Sequence, residues 1–164
     1  MEVDREKDLP LMANGDEIRV RHYMLKLYFD MEKEIVQGQA IMFCDTKISN
    51  KNPKEFILDC KDLITTSVYE IVGDDDEFNQ ILNSFDIRSE KIQMDKWFHK
   101  SRRPLEFKSE PWCLRIFDKP DSTIFPRIFY VEWTTLKGAK SLLWRNDQNG
   151  EKCVFTPAAA VNNR

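Results

Sequence analysis

The sequence lacks most of the residue patterns that mark common active sites. It has only two histidines and five glycines among its 164 residues. It contains neither a G-x-S-x-G nucleophile elbow nor a glycine-rich phosphate loop, which excludes the usual serine-hydrolase and nucleotide-binding motifs. None of its four cysteines are spaced as C-x-x-C, so the sequence predicts neither a zinc knuckle nor a redox-active dithiol.

Long hydrophobic runs are also missing. No window approaches the ~18 apolar residues of a membrane span, and the opening MEVDREKDLPLMANG has no apolar core of signal-peptide length. N-x-Ser/Thr glycosylation acceptors are absent. These features predict an intracellular protein, cytoplasmic or nuclear, with reduced cysteines that pack as small buried apolar residues. The cysteines are Cys44, Cys60, Cys113 and Cys153.

Charge of either sign is not in excess. The chain has 28 acidic and 25 basic residues, a net charge of −3, and the two signs are interspersed. A strongly basic surface for nucleic acid, or a polybasic segment for a membrane, is therefore not indicated. The length suits one domain with a sizeable core.

Aromatic and β-branched residues are plentiful, and they occur in short runs separated by turns. This spacing predicts a mainly β fold, an antiparallel twisted β-sandwich of saddle-like shape with a short helical insertion. We expect a polar leader over 1–17 and one β domain over 18–164. Gly38 lies inside a strand and predicts a bulge or a close backbone approach. The predicted strands are Val20–Asp30, Ile35–Phe43, Phe56–Cys60, Leu63–Val72, Leu105–Lys108, Trp112–Asp118, Arg127–Thr135, Ser141–Arg145 and Cys153–Thr156.

One segment, 73–104, breaks the strand rhythm. Apolar residues occur there at i, i+3, i+4 and i+7: Phe78, Ile81, Leu82 and Phe85. This spacing predicts one or two helical turns packed on the sheet, with a mobile acidic loop as the alternative. A basic cluster ends the segment, at Lys100, Arg102 and Arg103. We expect it to lie in a solvated loop, and a phosphate-binding or nuclear-import role is the alternative.

Both ends of the chain carry a family pattern. Residues 141–164 read SLLWRNDQNGEKCVFTPAAAVNNR, in which a Trp precedes D-Q-x-G, C-V-F-T, a small-residue bend and N-N-R. Near the start, DLPLMAN (8–14) precedes VRHYMLKL (20–27). Together they resemble the N-terminal domain of zinc aminopeptidases of the aminopeptidase N/leukotriene hydrolase family, above all the aminopeptidase O subfamily. The resemblance implies a β domain whose partner is the zinc-containing catalytic domain of the same enzyme.

The family's zinc site is absent from this sequence. It needs H-E-x-x-H on a helix and a further Glu, whereas the two histidines here, His22 and His99, are far apart. We therefore predict no catalytic or metal-binding residue in this chain, and expect zinc only in the full-length enzyme. The resemblance also implies that the bend formed by Pro157, Ala158, Ala159 and Ala160 lines the pocket for the substrate's free amino end. A purely structural bend is the alternative.

Two functional hypotheses follow. The first is a non-catalytic N-terminal β domain of a zinc metalloaminopeptidase, truncated before the catalytic domain, with an exposed apolar patch near Phe155–Val161. The full-length enzyme would remove N-terminal residues from peptides. The second is a free-standing β-sandwich module that binds proteins and has no peptidase activity.

Overall fold

The computed structural model describes residues 11–46, 53–73, 76, 78–79, 91–119 and 125–156. Within these residues lie ten strands and one helix whose whole length is described. They are β1 (Arg19–Asp30), β2 (Ile35–Asp45), β3 (Glu55–Asp59), β4 (Leu63–Ile71), α1 (Lys91–Phe98), β5 (Arg102–Pro104), β6 (Phe107–Ser109), β7 (Cys113–Phe117), β8 (Ile128–Thr135), β9 (Leu143–Asn146) and β10 (Lys152–Phe155).

All strand pairing is antiparallel, which confirms the predicted fold class. A five-stranded sheet has the order β1-β2-β8-β4-β5, a three-stranded sheet the order β3-β7-β6, and β9 and β10 form a hairpin. The five-stranded sheet, called here the main sheet, has different cover on its two faces. The three-stranded sheet, called the small sheet, packs on one face and α1 on the other.

The first core lies between the main sheet and the small sheet. Phe56 of β3 meets Phe129 of β8 with ring centroids 4.9 Å apart, and both side chains are almost completely buried. Ile18, just ahead of β1, is buried in the same core. The residues before it are tied to β3, because the amides of Met12 and Ala13 donate to the Asp59 carboxylate at 2.7 and 3.1 Å. This core closes one end of a β-sandwich.

The second core lies between the main sheet and α1. Trp97 of α1 packs edge-on against Phe43 of β2, with centroids 4.9 Å apart. Phe98 packs against Tyr130 of β8 in the same edge-on manner. Lys26 of β1 pairs with Asp95 at 2.6 Å and lies over the Phe98 ring. Such edge-on aromatic pairs add to the free energy of burial and fix how the helix sits on the sheet.

The segment 73–104 corrects two details of the sequence analysis. We expected a solvated loop at Lys100, Arg102 and Arg103, but Arg102–Pro104 form β5 and pair with β4. The Arg102 guanidinium stacks 3.5 Å from the Tyr130 ring, and Arg103 pairs with Glu70 at 2.7 Å. The helix α1 was not located from the sequence. Of the predicted helical turns, Asp76, Phe78 and Asn79 are helical, while Ile81, Leu82 and Phe85 lie outside the described residues.

Of the two features predicted at Gly38, the structure shows the close approach of another residue to the backbone and no bulge. The β1–β2 register runs without a break through the pair Leu27–Gly38, and the irregularity lies instead between Val20 and His22. The ring of Trp133, opposite Gly38 on β8, fills the space where a side chain would stand. A Cβ atom at Gly38 would lie 2.1 Å from the Trp133 ring. Only glycine leaves room for the Trp133 ring at this position of β2.

Candidate interaction surface

The main exposed apolar feature of the described chain is a row on β1. Alternate side chains of a strand point to one face, so one face of β1 carries Tyr23, Leu25, Leu27 and Phe29. These side chains are 50%, 49%, 43% and 48% exposed. Met24, on the opposite face, is buried against α1. The row therefore lies on the face that the small sheet covers only in part.

A groove continues from this row across the main sheet. Two adjoining cavities, each of about 380 Å³, share Leu63 and Trp133 in their linings. One is bordered by Tyr23 and Leu25, the other by Leu27 and Phe29. Small residues of β2, Gly38 and Ala40, lower the floor beneath the Trp133 ring. The groove is apolar because both its floor and the β1 row consist largely of aliphatic and aromatic side chains.

The two ends of the groove are closed by different elements. Leu58 and Leu114 of the small sheet line one end. The hairpin β9–β10 lines the other through Val154, Phe155 and Thr156. Lys152 of the hairpin pairs with Glu34 in the β1–β2 turn at 2.9 Å, which fixes the hairpin beside β1. The turn between β9 and β10 contains Gly150 with φ of +83°, a backbone conformation that glycine adopts without steric cost.

The predicted apolar patch near Phe155–Val161 is confirmed at its first residue. Phe155 is 47% exposed and lines the groove. The pocket-wall residues of the sequence analysis, Pro157, Ala158, Ala159 and Ala160, lie outside the described residues. Their role stays a prediction. The groove could not be predicted from the sequence, because the apolar residues of the β1 row alternate in the same way as those of a buried strand face.

Three of the cysteine thiols have raised pKa values, which disfavours a role as nucleophiles. Burial raises the pKa of Cys44 and, with a smaller contribution from Cys113, raises the pKa of Cys60 to about 11. Burial and a 3.4 Å contact from the Cys113 thiol to Glu110 raise the pKa of Cys113 as well. A thiol must ionise to act as a nucleophile, so the raised pKa values disfavour the reactive thiolate of these three cysteines at neutral pH. All four cysteines are free. Cys44 and Cys113 are buried as expected, whereas Cys60 and Cys153 are only half-buried, which corrects the expectation for these two.

Polar side chains on the α1 side of the main sheet form a network of hydrogen bonds and ring contacts. Tyr130 donates to the Glu132 carboxylate at 2.5 Å, and Ser67 donates to the same group at 2.6 Å. Burial, and then the bond to Glu132, raise the pKa of Tyr130 to about 12, while the bond from Ser67 is the main cause that lowers the pKa of Glu132. Arg102 lies over the Tyr130 ring and donates to the carbonyl of Phe98. The network ties β8, β4 and β5 to α1.

The described residues do not fit a zinc site. His22 lies on β1 and His99 follows α1, and no group of three or more His, Cys, Asp or Glu side chains in the described chain is arranged to hold a metal. Within the same residues, no helix is long and apolar enough to cross a membrane.

Comparison with curated proteins gives one group of relatives. The chain is 27% identical to rat aminopeptidase O and 29% identical to mouse aminopeptidase O, each over 148 residues. It is 27% identical to human aminopeptidase O over 150 residues. Each alignment covers 74% of this chain and 18% of the relative, so the chain spans less than a fifth of the length of these relatives. No family model matches the sequence.

Comparison with solved structures bears out the fold along the whole chain. Yeast LTA4 hydrolase with bestatin superimposes with a TM-score of 0.62 over 99% of this chain and 22% of that one, at 19% identity. Native yeast LTA4 hydrolase gives 0.62 at 15% identity over the same 99%. The identities are low, so these likenesses concern the fold. The matches to aminopeptidase O, together with this fold, bear out the resemblance predicted from the two ends of the sequence.

Proposed function

We propose that this chain is the non-catalytic N-terminal β domain of an aminopeptidase O-like zinc metalloaminopeptidase. The observation that carries the proposal is the shape of the match. Aminopeptidase O aligns with 74% of this chain but with only 18% of its own length, and the fold match to LTA4 hydrolase covers 99% of this chain and 22% of that one. The described part of this region has no cluster of metal ligands. We therefore favour a non-catalytic domain over the peptidase centre.

Under this proposal the catalytic domain of the same polypeptide is the partner. That domain would carry the zinc and the water that cleaves the N-terminal residue from a peptide. The present chain would form one wall of the substrate cleft, with Pro157, Ala158, Ala159 and Ala160 at the pocket for the substrate's amino end. An intracellular location, cytoplasmic or nuclear, belongs to the same proposal and is tested by imaging a tagged product.

A second candidate is a free-standing protein-binding module, and the open groove beside β1 favours it. An apolar surface of this kind on a stable isolated domain marks a place where another protein binds. The two candidates differ in the transcript beyond Arg164. A reading frame that continues to H-E-x-x-H supports the enzyme domain, whereas a stop codon there and a stable 164-residue product support the module.

The test is hydrolysis of an aminoacyl-amide substrate with added zinc. We expect no turnover by the 164-residue chain above a metal-free control, and zinc-dependent turnover by the longer product of the same transcript. Zinc-dependent turnover by the short chain alone would overturn the non-catalytic assignment. Absence of turnover by a folded longer product would overturn the assignment to an aminopeptidase.

A further inference from the structure

We propose that Asn149 is a modification site, at which the side-chain amide is lost by deamidation, and that the fold protects Asn14 from the same reaction. The chain contains two Asn-Gly pairs, Asn14-Gly15 and Asn149-Gly150. An asparagine followed by glycine is especially open to deamidation, because glycine places no side chain beside the backbone nitrogen that attacks. The structure puts the two pairs in opposite environments, so the same dipeptide is free to react at one place and held at the other.

Deamidation of an Asn-Gly pair needs no reagent other than water. The backbone nitrogen of the glycine loses its proton and attacks Cγ of the asparagine, which forms a new N–Cγ bond. The Cγ–Nδ2 bond breaks, and Nδ2 takes up a proton and leaves as ammonia. Water then opens the cyclic imide at either of its carbonyls, which gives aspartate or isoaspartate. The asparagine side chain must therefore be able to swing toward the nitrogen of the next residue.

Asn149 meets this requirement at the tip of the β9–β10 hairpin, where residues 145–152 are exposed. Within the described residues, no hydrogen bond holds the Asn149 side chain, and only its backbone amide is engaged, by Asp147 Oδ1 at 2.8 Å. The Gly150 amide donates to the Asp147 carbonyl at 3.1 Å. That bond has to open before the nitrogen attacks, and bonds at exposed loop tips open at a low cost in free energy.

Asn14 precedes a glycine too, but its side chain is clamped. Its Nδ2 donates to Glu17 Oε2 at 3.1 Å and to the Glu55 carbonyl at 2.9 Å, and its Oδ1 accepts from the Ile57 amide at 2.9 Å. Both donor hydrogens and the acceptor oxygen are therefore in use. These bonds tie the segment ahead of β1 to β3. Swinging the Asn14 side chain toward Gly15 would break all of them, so the fold opposes the reaction.

Conversion of Asn149 would change the hairpin turn. Asp147 Oδ1 accepts from the amides of Asn149 and Glu151, each at 2.8 Å. A carboxylate at position 149 adds a further negative charge to a loop that carries Asp147 and Glu151, and isoaspartate also adds a carbon to the backbone between the two amides. Because β9 and β10 form a separate two-stranded sheet, we expect the loosening to stay within the hairpin. The exposed isoaspartyl carboxylate fits a carboxyl methyltransferase that is specific for isoaspartyl residues.

Ageing of the purified 164-residue chain in mildly alkaline buffer tests the site. Peptide mass spectrometry follows the amide-to-acid mass gain at both asparagines, and methyl transfer by an isoaspartyl carboxyl methyltransferase measures the isoaspartate. In the folded chain we expect Asn149 to convert at least about tenfold faster than Asn14. In urea the two should convert at similar rates, because the clamp on Asn14 is lost. Asn149→Gln is the matched control, since it keeps an exposed amide that should hardly convert because its side chain must close a larger ring.

Equal rates at the two asparagines of the folded chain, or faster conversion of Asn14, would overturn the inference. So would an Asn149 that converts in urea and keeps its amide in the folded chain, since the turn would then protect it. Amide hydrogen exchange on the converted protein reads the effect on the hairpin. We expect faster exchange at Cys153 and Val154 of β10 and unchanged exchange in the main sheet. Unchanged exchange in the hairpin, or faster exchange throughout, would contradict the local effect.

Discussion

The two faces of the main sheet differ in how completely they are covered. On one face, α1 seals Phe43, Ile41 and Tyr130 against Trp97 and Phe98. On the other face the small sheet covers only one end, and the β1 row and the groove stay open. The same strands contribute to both faces, so strand propensity does not explain the contrast. The contrast arises from what each face packs against: the closed face is held by a continuous core, whereas the open face leaves the β1 row exposed.

Trp97→Ala should produce the largest effect, because it removes the centre of the closed face. Trp97 is among the most deeply buried side chains and packs on Phe43. We expect a loss of about 3–5 kcal/mol in the free energy of unfolding, measured by urea denaturation. Trp112→Ala is the matched control, because Trp112 is about one-third exposed. If both variants lose the same stability, the closed face does not hold the domain together.

Met24 and Leu25 give a direct comparison of the two faces within one strand. Met24 is 6% exposed against α1, and Leu25 lies in the open row. Met24→Ala should cost about 2–5 kcal/mol in unfolding free energy. Leu25→Ala should cost about 1 kcal/mol or less, because half of that side chain already meets water. Thermal or urea unfolding of the two variants side by side decides the point, and a larger loss for Leu25→Ala would reverse the assignment of the faces.

Gly38→Ala tests the floor of the groove. The added methyl would stand within 2.1 Å of the Trp133 ring, so the indole must move from β2. We expect a loss of about 1–3 kcal/mol in unfolding free energy from this overpacking. Gly15→Ala is the control, since a Cβ there meets nothing within 4 Å. In a chain that already carries Trp133→Ala, adding Gly38→Ala should cause no further loss of unfolding free energy. If a further loss persists, the Trp133 ring is not its cause.

The smallest effect concerns the ionisation of Tyr130 beneath α1. Its pKa is raised from 10.0 to about 12, first by burial and second by its bond to Glu132. The folded-state pKa lies above the unfolded one, so the resulting stability is present below pH 10 and is lost as the pH rises through about 12. Glu132→Gln should shift the ultraviolet titration of Tyr130 toward its ordinary range. An unchanged titration would mean that burial alone sets the pKa.

The strand pattern was predictable because it is local. The predicted bounds of β1, β2 and the two strands of the last hairpin agree with the structure to within one or two residues. How far each face of the main sheet is covered could not be predicted. The alternating apolar residues of β1 form the same sequence pattern whether their face is buried or exposed: Tyr23, Leu25, Leu27 and Phe29. The strand β5 escaped notice because Arg102 and Arg103 read as a solvated cluster, yet Arg102 stacks on Tyr130, which is distant in sequence. The helix α1 was missed for a similar reason, because its buried Trp97 and Phe98 depend on a sheet partner.

Hydroxyl-radical footprinting of the isolated 164-residue chain tests most directly whether one face is closed and the other open. The method measures oxidation rates of individual side chains, and comparing aromatic residues on the two faces limits differences in intrinsic reactivity. The account predicts rapid modification of Tyr23 and Phe29 and at least several-fold slower modification of Trp97 and Phe98. Equal rates on the two faces, or faster modification of Trp97 than of Tyr23, would contradict it.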